Sequence, residues 1–262
     1  MKESLPNTKK ETSPREQEPH IEIERKYLLA SPEDLEKLEE KILSLFSDAK
    51  IVGEYDERSY YFSPIKKEEA LKFLNTLTFN WMYDVDRLEN QLDGIPDNTP
   101  IQLRSRTRFD EDRQSFSSTF TFKASEDPLH DEERIEIDAI GENYGNPRNK
   151  RGLSELGIKL TSAWHSKRKV YQIDSKTKID LQHVTGYGYT AEIESSSAEK
   201  IEAIENQLGL ISANPEALGV MYKKYSENWQ EYYEGEERSF NEEEWEEVEA
   251  EIGEQVVRNK LE

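Results

Sequence analysis

His20-Ile21-Glu22-Ile23-Glu24-Arg25-Lys26-Tyr27-Leu28-Leu29 alternates charge and apolar bulk at a period of two. Side chains alternate faces along a strand, so Glu22, Glu24 and Lys26 share one face and Ile21 and Ile23 the other. The pattern recurs along the chain. Arg104, Arg106 and Arg108 oppose Leu103; Thr121 and Lys123 oppose Phe120 and Phe122. Arg134, Glu136 and Asp138 oppose Ile135 and Ile137, Asp180 opposes Ile179 and Leu181, and Glu192 and Glu194 oppose Ile193. One such strand is the ordinary half-wet strand of an antiparallel sheet. The repetition of the same few charge types, mixed in sign, points instead to a sheet that closes around its charged face and carries helices on its apolar face.

The other elements fit that plan. Further strands are expected at Val52–Phe62, Ser117–Ala124, Glu132–Ala139, Ala163–Ile173, Lys176–Val184 and Tyr189–Ser195, with Ile101–Phe109 and Ser117–Ala124 joined as a hairpin by the polar loop 110–114. Ser31-Pro32-Glu33-Asp34 starts a helix with a hydroxyl cap, proline at its first position and acids in the first turn. A helix over Lys66–Leu77 and a short one carrying Trp81, Val85, Leu88 and Leu92 follow, before Asp93-Gly94-Ile95-Pro96 breaks the chain. Residues 143–151 read as loop. Ser197 caps another helix that Gly209 ends. Gly186-Tyr187-Gly188 lies between two strands and reads as a turn, not a dinucleotide site, and there is no P-loop. Tyr60, Tyr61 and Phe62 read as barrel or core aromatics.

Composition narrows the chemistry. The 262 residues are 34% hydrophobic and 35% charged, with no cysteine and four scattered histidines, so a metal here is a hard, oxygen-bound ion. The net charge of −21 argues against a general nucleic-acid surface. No secretory leader or membrane span is evident, which makes cytoplasmic the default. Residues 1–18, with Pro6 and Pro14, read as a disordered leader. Residues 231–262 hold 13 Glu against Arg238, Arg258 and Lys260 and read as an acidic C-terminal helix. Its stripe of Trp245, Val248, Ile252 and Val256 is a packing face, for the barrel, a second copy or a protein partner.

Glu22-Ile23-Glu24-Arg25-Lys26 resembles the E-x-E-x-K strand of the CYTH family, the triphosphate tunnel metalloenzymes, which include class IV adenylyl cyclases, thiamine triphosphatases and inorganic triphosphatases. In order along the chain, Leu103-Arg104-Ser105-Arg106 is similar to the family's paired-arginine strand, Thr121-Phe122-Lys123 to its T-x-K strand and Arg134-Ile135-Glu136 to its R-x-E strand. Lys178-Ile179-Asp180 and Glu192-Ile193-Glu194 resemble its aspartate and E-x-E elements.

The resemblance implies an α+β fold: an eight-stranded antiparallel closed β-barrel forming a tunnel, with helices packed outside. That domain would span 19–230, with a helical insertion at 64–98. It implies Mg²⁺ or Mn²⁺ and a small-molecule triphosphate, with no nucleic acid and no membrane as partners. Arg104, Arg106, Lys123, Arg134, Arg168 and Lys223 would bind phosphate, and Lys26 would sit near the scissile end. Glu22, Glu24, Glu136, Asp180, Glu192 and Glu194 would hold metal or balance arginines, with Glu22, Glu24 and Lys26 closest to catalysis. The expected activity is hydrolysis of inorganic, thiamine or nucleoside triphosphate. The alternatives are cyclisation of ATP to cyclic AMP and a binding module without turnover. One position departs from the pattern: Ser166 stands two residues before Arg168, where the family has lysine. Lys167 or Lys169 could replace it only if a bulge reversed its parity.

Overall fold

The computed structural model describes residues 20–77, 85–110, 115–124, 133–142, 153, 155–230 and 240–261. The leader, Trp81 and the expected loops at 111–114 and 143–151 lie outside these residues. The chain is α+β and its strands pair only antiparallel. In chain order they are β1 (His20–Leu29), β2 (Lys50–Phe62), β3 (Ile101–Asp110), β4 (Ser115–Ala124), β5 (Glu133–Glu142), β6 (Leu160–Asp174), β7 (Thr177–Val184) and β8 (Gly188–Ser195). The helices are α1 (Pro32–Leu45), α2 (Lys67–Leu77), α3 (Val85–Asp93), α4 (Ala198–Leu208), α5 (Pro215–Glu227) and α6 (Glu242–Ile252). No described helix is long and apolar enough to cross a membrane.

The strand order β1-β5-β4-β3-β2-β6-β7-β8 returns to β1, which is hydrogen-bonded on both sides and closes the barrel. Its first residues, His20 to Ile23, pair with β5; from Ile23 to Leu29 it pairs with β8. Beyond Ile23 the β5 side of β1 finds other partners. The Ala213 N–H donates to the Lys26 carbonyl at 2.8 Å, and the Asn259 N–H donates to the Leu28 carbonyl at 2.7 Å. The end of the chain therefore covers a strand edge that would otherwise be open for pairing.

Alternation decides which face each residue takes, and helices cover the apolar one. Phe73, Leu74, Leu88 and Leu92 of α2 and α3 pack with Leu103, Phe120, Phe122 and Ile137 outside β3, β4 and β5. Leu38 and Ile42 of α1 and Ile201, Ile204 and Leu208 of α4 pack with Tyr27, Tyr171, Ile179, Leu181, Ala191 and Ile193. Caps fix the helix starts: the Ser31 hydroxyl accepts from the Asp34 N–H before α1, and Ser197 does the same for Lys200 before α4. Gly209, at φ 70°, takes the left-handed conformation that ends α4.

A third cluster differs in kind. Leu28 and Val184 belong to the charged-face series of β1 and β7, yet they pack with Tyr187, Met221, Tyr225, Trp245 and Val248. This cluster caps one end of the barrel with α5 and α6. The sequence reading had no helix at α5, although Asn214 caps it and Pro215 opens it. The stripe of α6 is spent within the chain, since Trp245 and Val248 are buried in this cluster.

Candidate functional site

Opposed residues of an antiparallel pair share a face, so the register lists the interior in rows. Glu24 lies opposite Glu194, which lies opposite Lys178; Lys26 lies opposite Glu192, which lies opposite Asp180. Arg104, Arg106 and Arg108 on β3 oppose Tyr61, Ser59 and Glu57 on β2, and Thr121, Thr119 and Ser117 on β4. Lys123 continues this face one row further along β4, opposite Glu136 in the backbone register. Glu22 likewise opposes Arg134, while the side chains of Glu22, Arg134 and Glu136 lie outside the described residues.

The described side chains form a charge network across six strands. Lys26 Nζ is 2.7 Å from Glu192 Oε1 and 3.5 Å from Glu24 Oε1. Lys178 Nζ is 3.2 Å from Glu194. Arg168 is ion-paired to Asp180 and reaches Glu57 at 3.8 Å. Glu57 also meets Arg106 Nε at 3.2 Å and Arg108 Nε at 2.6 Å. Arg104 donates to the Thr121 hydroxyl at 3.3 Å.

Burial and charge set the protonation of these groups. Burial disfavours the Lys26 ammonium, but Glu192, Tyr222 and Glu24 outweigh it and hold its pKa well above the ordinary lysine value. Burial likewise works against the Glu57 carboxylate, yet Arg106, Arg108 and Arg168 hold its pKa well below the usual range. Glu192 is lowered for the same kind of reason, with Lys26 overcoming its desolvation. Burial, reinforced by the adjacent Arg104, brings Arg106 down to about 10. At neutral pH all of these groups are charged.

One sequence expectation is corrected. Lys223 is on the outer side of α5, where it is 60% exposed and 3.2 Å from Glu251 of α6. One residue is about 100° of helix turn, and it is the preceding residue, Tyr222, whose ring lies 5.8 Å from Lys26 Nζ. Of the expected carboxylates, the four whose side chains are described, Glu24, Asp180, Glu192 and Glu194, each lie beside a cation, and no three acidic or histidine side chains converge as a metal site among the described residues. Register sets Lys26 opposite Glu192 and Lys178 opposite Glu194, while Lys26 also reaches Glu24 two residues away on its own strand and Arg168 reaches Asp180 on the neighbouring strand.

The donors remaining still suit a hard cation held together with an anionic ligand. Mg²⁺ is commonly bound by one or two carboxylates plus phosphate oxygens and water. Glu24 and Glu194 face each other in register, and Asp180 Oδ1 is buried without a hydrogen-bond partner. Arg168 Nε is a buried donor without an acceptor. Such orphaned groups inside a fold mark a place where a ligand, ion or water completes the bonding.

Ser166 is buried on the interior face, opposite Glu57 and Val184. The β2–β6 register runs without a shift from Gly53/Val170 to Tyr61/Ser162, so no bulge brings Lys167 or Lys169 inward. Lys167 is exposed, and Lys169 pairs outside with Glu39 and Glu54 at 2.9 and 3.2 Å. Glu57 was missed by the sequence reading, which treated Val52–Phe62 only as an extended segment. The alternation Glu57, Ser59, Tyr61 was the available signal.

The barrel fold is shared with known structures. The PH1819 protein of Pyrococcus horikoshii OT3 superposes with a TM-score of 0.52 at 19% identity, over 78% of this chain and 99% of that one. Lower scores relate the chain to a putative adenylate cyclase from Vibrio parahaemolyticus (0.42, 13% identity, 74% of this chain and 91% of that one). They also relate it to a putative adenylyl cyclase from Hippeastrum described as having a dominant triphosphatase activity (0.38, 14% identity, 73% and 89%). No family model and no curated protein matches the sequence. The fold agrees with the CYTH-type resemblance carried by the motifs, and the interior rows hold the motif residues.

Proposed function

We propose that this chain is a triphosphate tunnel enzyme that hydrolyses a phosphoric anhydride of a small-molecule triphosphate with Mg²⁺ or Mn²⁺. The observation that carries the reading is the run of interior cations, Lys26, Arg168, Arg106, Arg108 and Arg104, inside a chain of net charge −21. A general field of that sign repels polyphosphate, so a local cluster of guanidiniums is meaningful as an anion receptor. Guanidiniums bind phosphate oxygens through paired N–H donors, and several in one cavity fit an extended chain of phosphates.

In this reading Arg104, Arg106 and Arg168 grip phosphate oxygens, with Lys123 and Arg134 extending the same face. Lys26 neutralises charge developing at the bond that breaks. Its raised pKa keeps it cationic, suited to charge stabilisation and unsuited to acting as a base. Glu24 and Glu194, with Asp180, would hold the metal, which would neutralise the phosphate chain and orient it for attack.

A panel of inorganic triphosphate, thiamine triphosphate and ATP, assayed with Mg²⁺, Mn²⁺ and EDTA, tests the reading. Phosphate release that needs the metal is the expected result. Cyclic AMP and pyrophosphate would select the cyclase reading. Tight binding without turnover would select a binding module, the reading favoured by Ser166 at the usual lysine position. Activity undiminished by exhaustive EDTA treatment would overturn the metal requirement.

A further inference from the structure

Glu57 lies outside the motif residues, yet it is the acid around which the arginines gather. It is 4% exposed, and both its oxygens are engaged. Oε1 lies 3.2 Å from Arg106 Nε and accepts from the Ser59 hydroxyl at 3.1 Å. Oε2 accepts from Arg108 Nε at 2.6 Å and lies 3.8 Å from Arg168 Nη1. Three cations from two strands are thus held at one point by an anion tethered to a third strand. An incoming phosphate oxygen meets there both the donors it needs and a fixed negative charge that already uses them.

We propose that Glu57 is a built-in competitor anion, a specificity-determining residue that sets which ligands the arginine cluster accepts. The inference rests on the triphosphate reading and adds to it a means of rejection. A ligand gains Arg106, Arg108 and Arg168 only by drawing them away from a carboxylate held in place by its own backbone. Orthophosphate has too few oxygens to offset that loss. A triphosphate reaches further cations along the interior and regains more than it gives up. Discrimination of this kind comes from a repulsive element facing the wrong ligand, not from an extra contact to the right one. A purely structural Glu57, one that only holds the arginines in position, predicts the opposite sign: its neutralisation would weaken every anion.

Calorimetric titration of the full chain and of Glu57→Gln with tripolyphosphate, pyrophosphate and orthophosphate, in EDTA at low salt, separates the two. The glutamine variant should bind orthophosphate and pyrophosphate at least about tenfold more tightly, a small part of what a unit charge exerts at this range. Tripolyphosphate should gain less, so the ratio between tripolyphosphate and pyrophosphate narrows. Weaker binding of all three by a folded variant, or an unchanged or wider ratio, overturns the proposal while leaving the triphosphate reading intact. Wild-type protein that fails to bind tripolyphosphate, with or without Mg²⁺, overturns that reading itself. A measurement on unaltered protein guards against a variant that does not fold. Saturating tripolyphosphate should displace the Arg108 Nε–H resonance as its bond to Glu57 breaks, and a resonance unmoved at saturation overturns the competitor role.

Discussion

Glu24 and Arg168 carry opposite charges into the same interior, and their losses should differ in kind. Glu24→Gln keeps the shape and removes an anionic oxygen, so metal affinity should fall and excess Mn²⁺ should restore part of the rate. Arg168→Ala removes a guanidinium that no metal replaces, so its defect should persist at saturating metal and appear in both kcat and KM. It also leaves Asp180 a buried, unpaired carboxylate, a change that costs about 3–5 kcal/mol in comparable sites. Thermal unfolding therefore has to be measured beside the kinetics. Lys223→Ala is the control: from its exposed position it should leave tripolyphosphate affinity within about twofold, the usual reach of a surface change. Metal rescue of Arg168→Ala, without rescue of Glu24→Gln, would reverse the two assignments.

The buried acids also set the response to pH. Glu57 and Glu192 have folded pKa values below the ordinary value, so the unfolded chain binds protons first as pH falls. Their contribution to stability is complete above the unfolded carboxylate pKa of about 4.3 and is lost as pH falls through their folded values. Lys26 has the opposite sign: its contribution is complete below the unfolded lysine pKa of about 10.4 and is lost as pH rises through its folded value. Denaturant midpoints should therefore be flat between these limits and fall on either side. In Glu57→Gln the loss on the acid side should be shallower, and an unchanged acid limb would show that Glu57 contributes little.

At the scale of elements, the helices make the charged face an interior by taking up the apolar one. α2 and α3 lie in the segment expected as an insertion, and they supply the cover for β3, β4 and β5, the strands that carry Arg104, Arg106 and Lys123. Phe73 is fully buried there, with its ring 5.2 Å from Phe120 and edge-on to it. Phe73→Ala should cost about 3–5 kcal/mol of stability, as large-to-small changes in aromatic cores do. Chemical denaturation would show it, and a loss below about 1 kcal/mol would mean that the segment is loosely held.

At the scale of the whole molecule, the chain end is fastened to its beginning. Asn259 is buried and donates its backbone N–H to the Leu28 carbonyl, while its side chain donates to the Leu28 and Ile211 carbonyls and accepts from the Ile211 N–H at 2.8 Å. The Leu261 N–H donates to Asp34 Oδ1 at 2.8 Å. Truncation after Trp229 removes these bonds together with α6 and exposes the β1 edge at Leu28. It should lower stability and promote self-association more than it alters turnover in molecules that remain folded and monodisperse. Asn259→Ala is the milder version, leaving buried amide groups unpaired at about 1–3 kcal/mol. Complete loss of turnover by a folded, monodisperse truncation would instead place the tail in the chemistry.

What the sequence determined by itself was local: the period of two that put charged and polar residues on one face of β1, β3, β4, β7 and β8, the hydroxyl and glycine signals that bound α1 and α4, and the order of the motifs. These follow from neighbours a few residues apart, which a strand or helix repeats faithfully. Partner choice was decided only in three dimensions. Glu57 is 49 residues from Arg106 and 111 from Arg168 in sequence, and they meet because β2 lies between β3 and β6. Lys223 was misplaced because helix phase depends on which side of α5 meets the barrel. Whether an acid stands beside a cation was likewise set by pairing across strands, which puts Lys26 opposite Glu192 and Lys178 opposite Glu194. Alternation fixes a residue's face, whereas the row it occupies is set by closure of the sheet and by the packing that holds it closed.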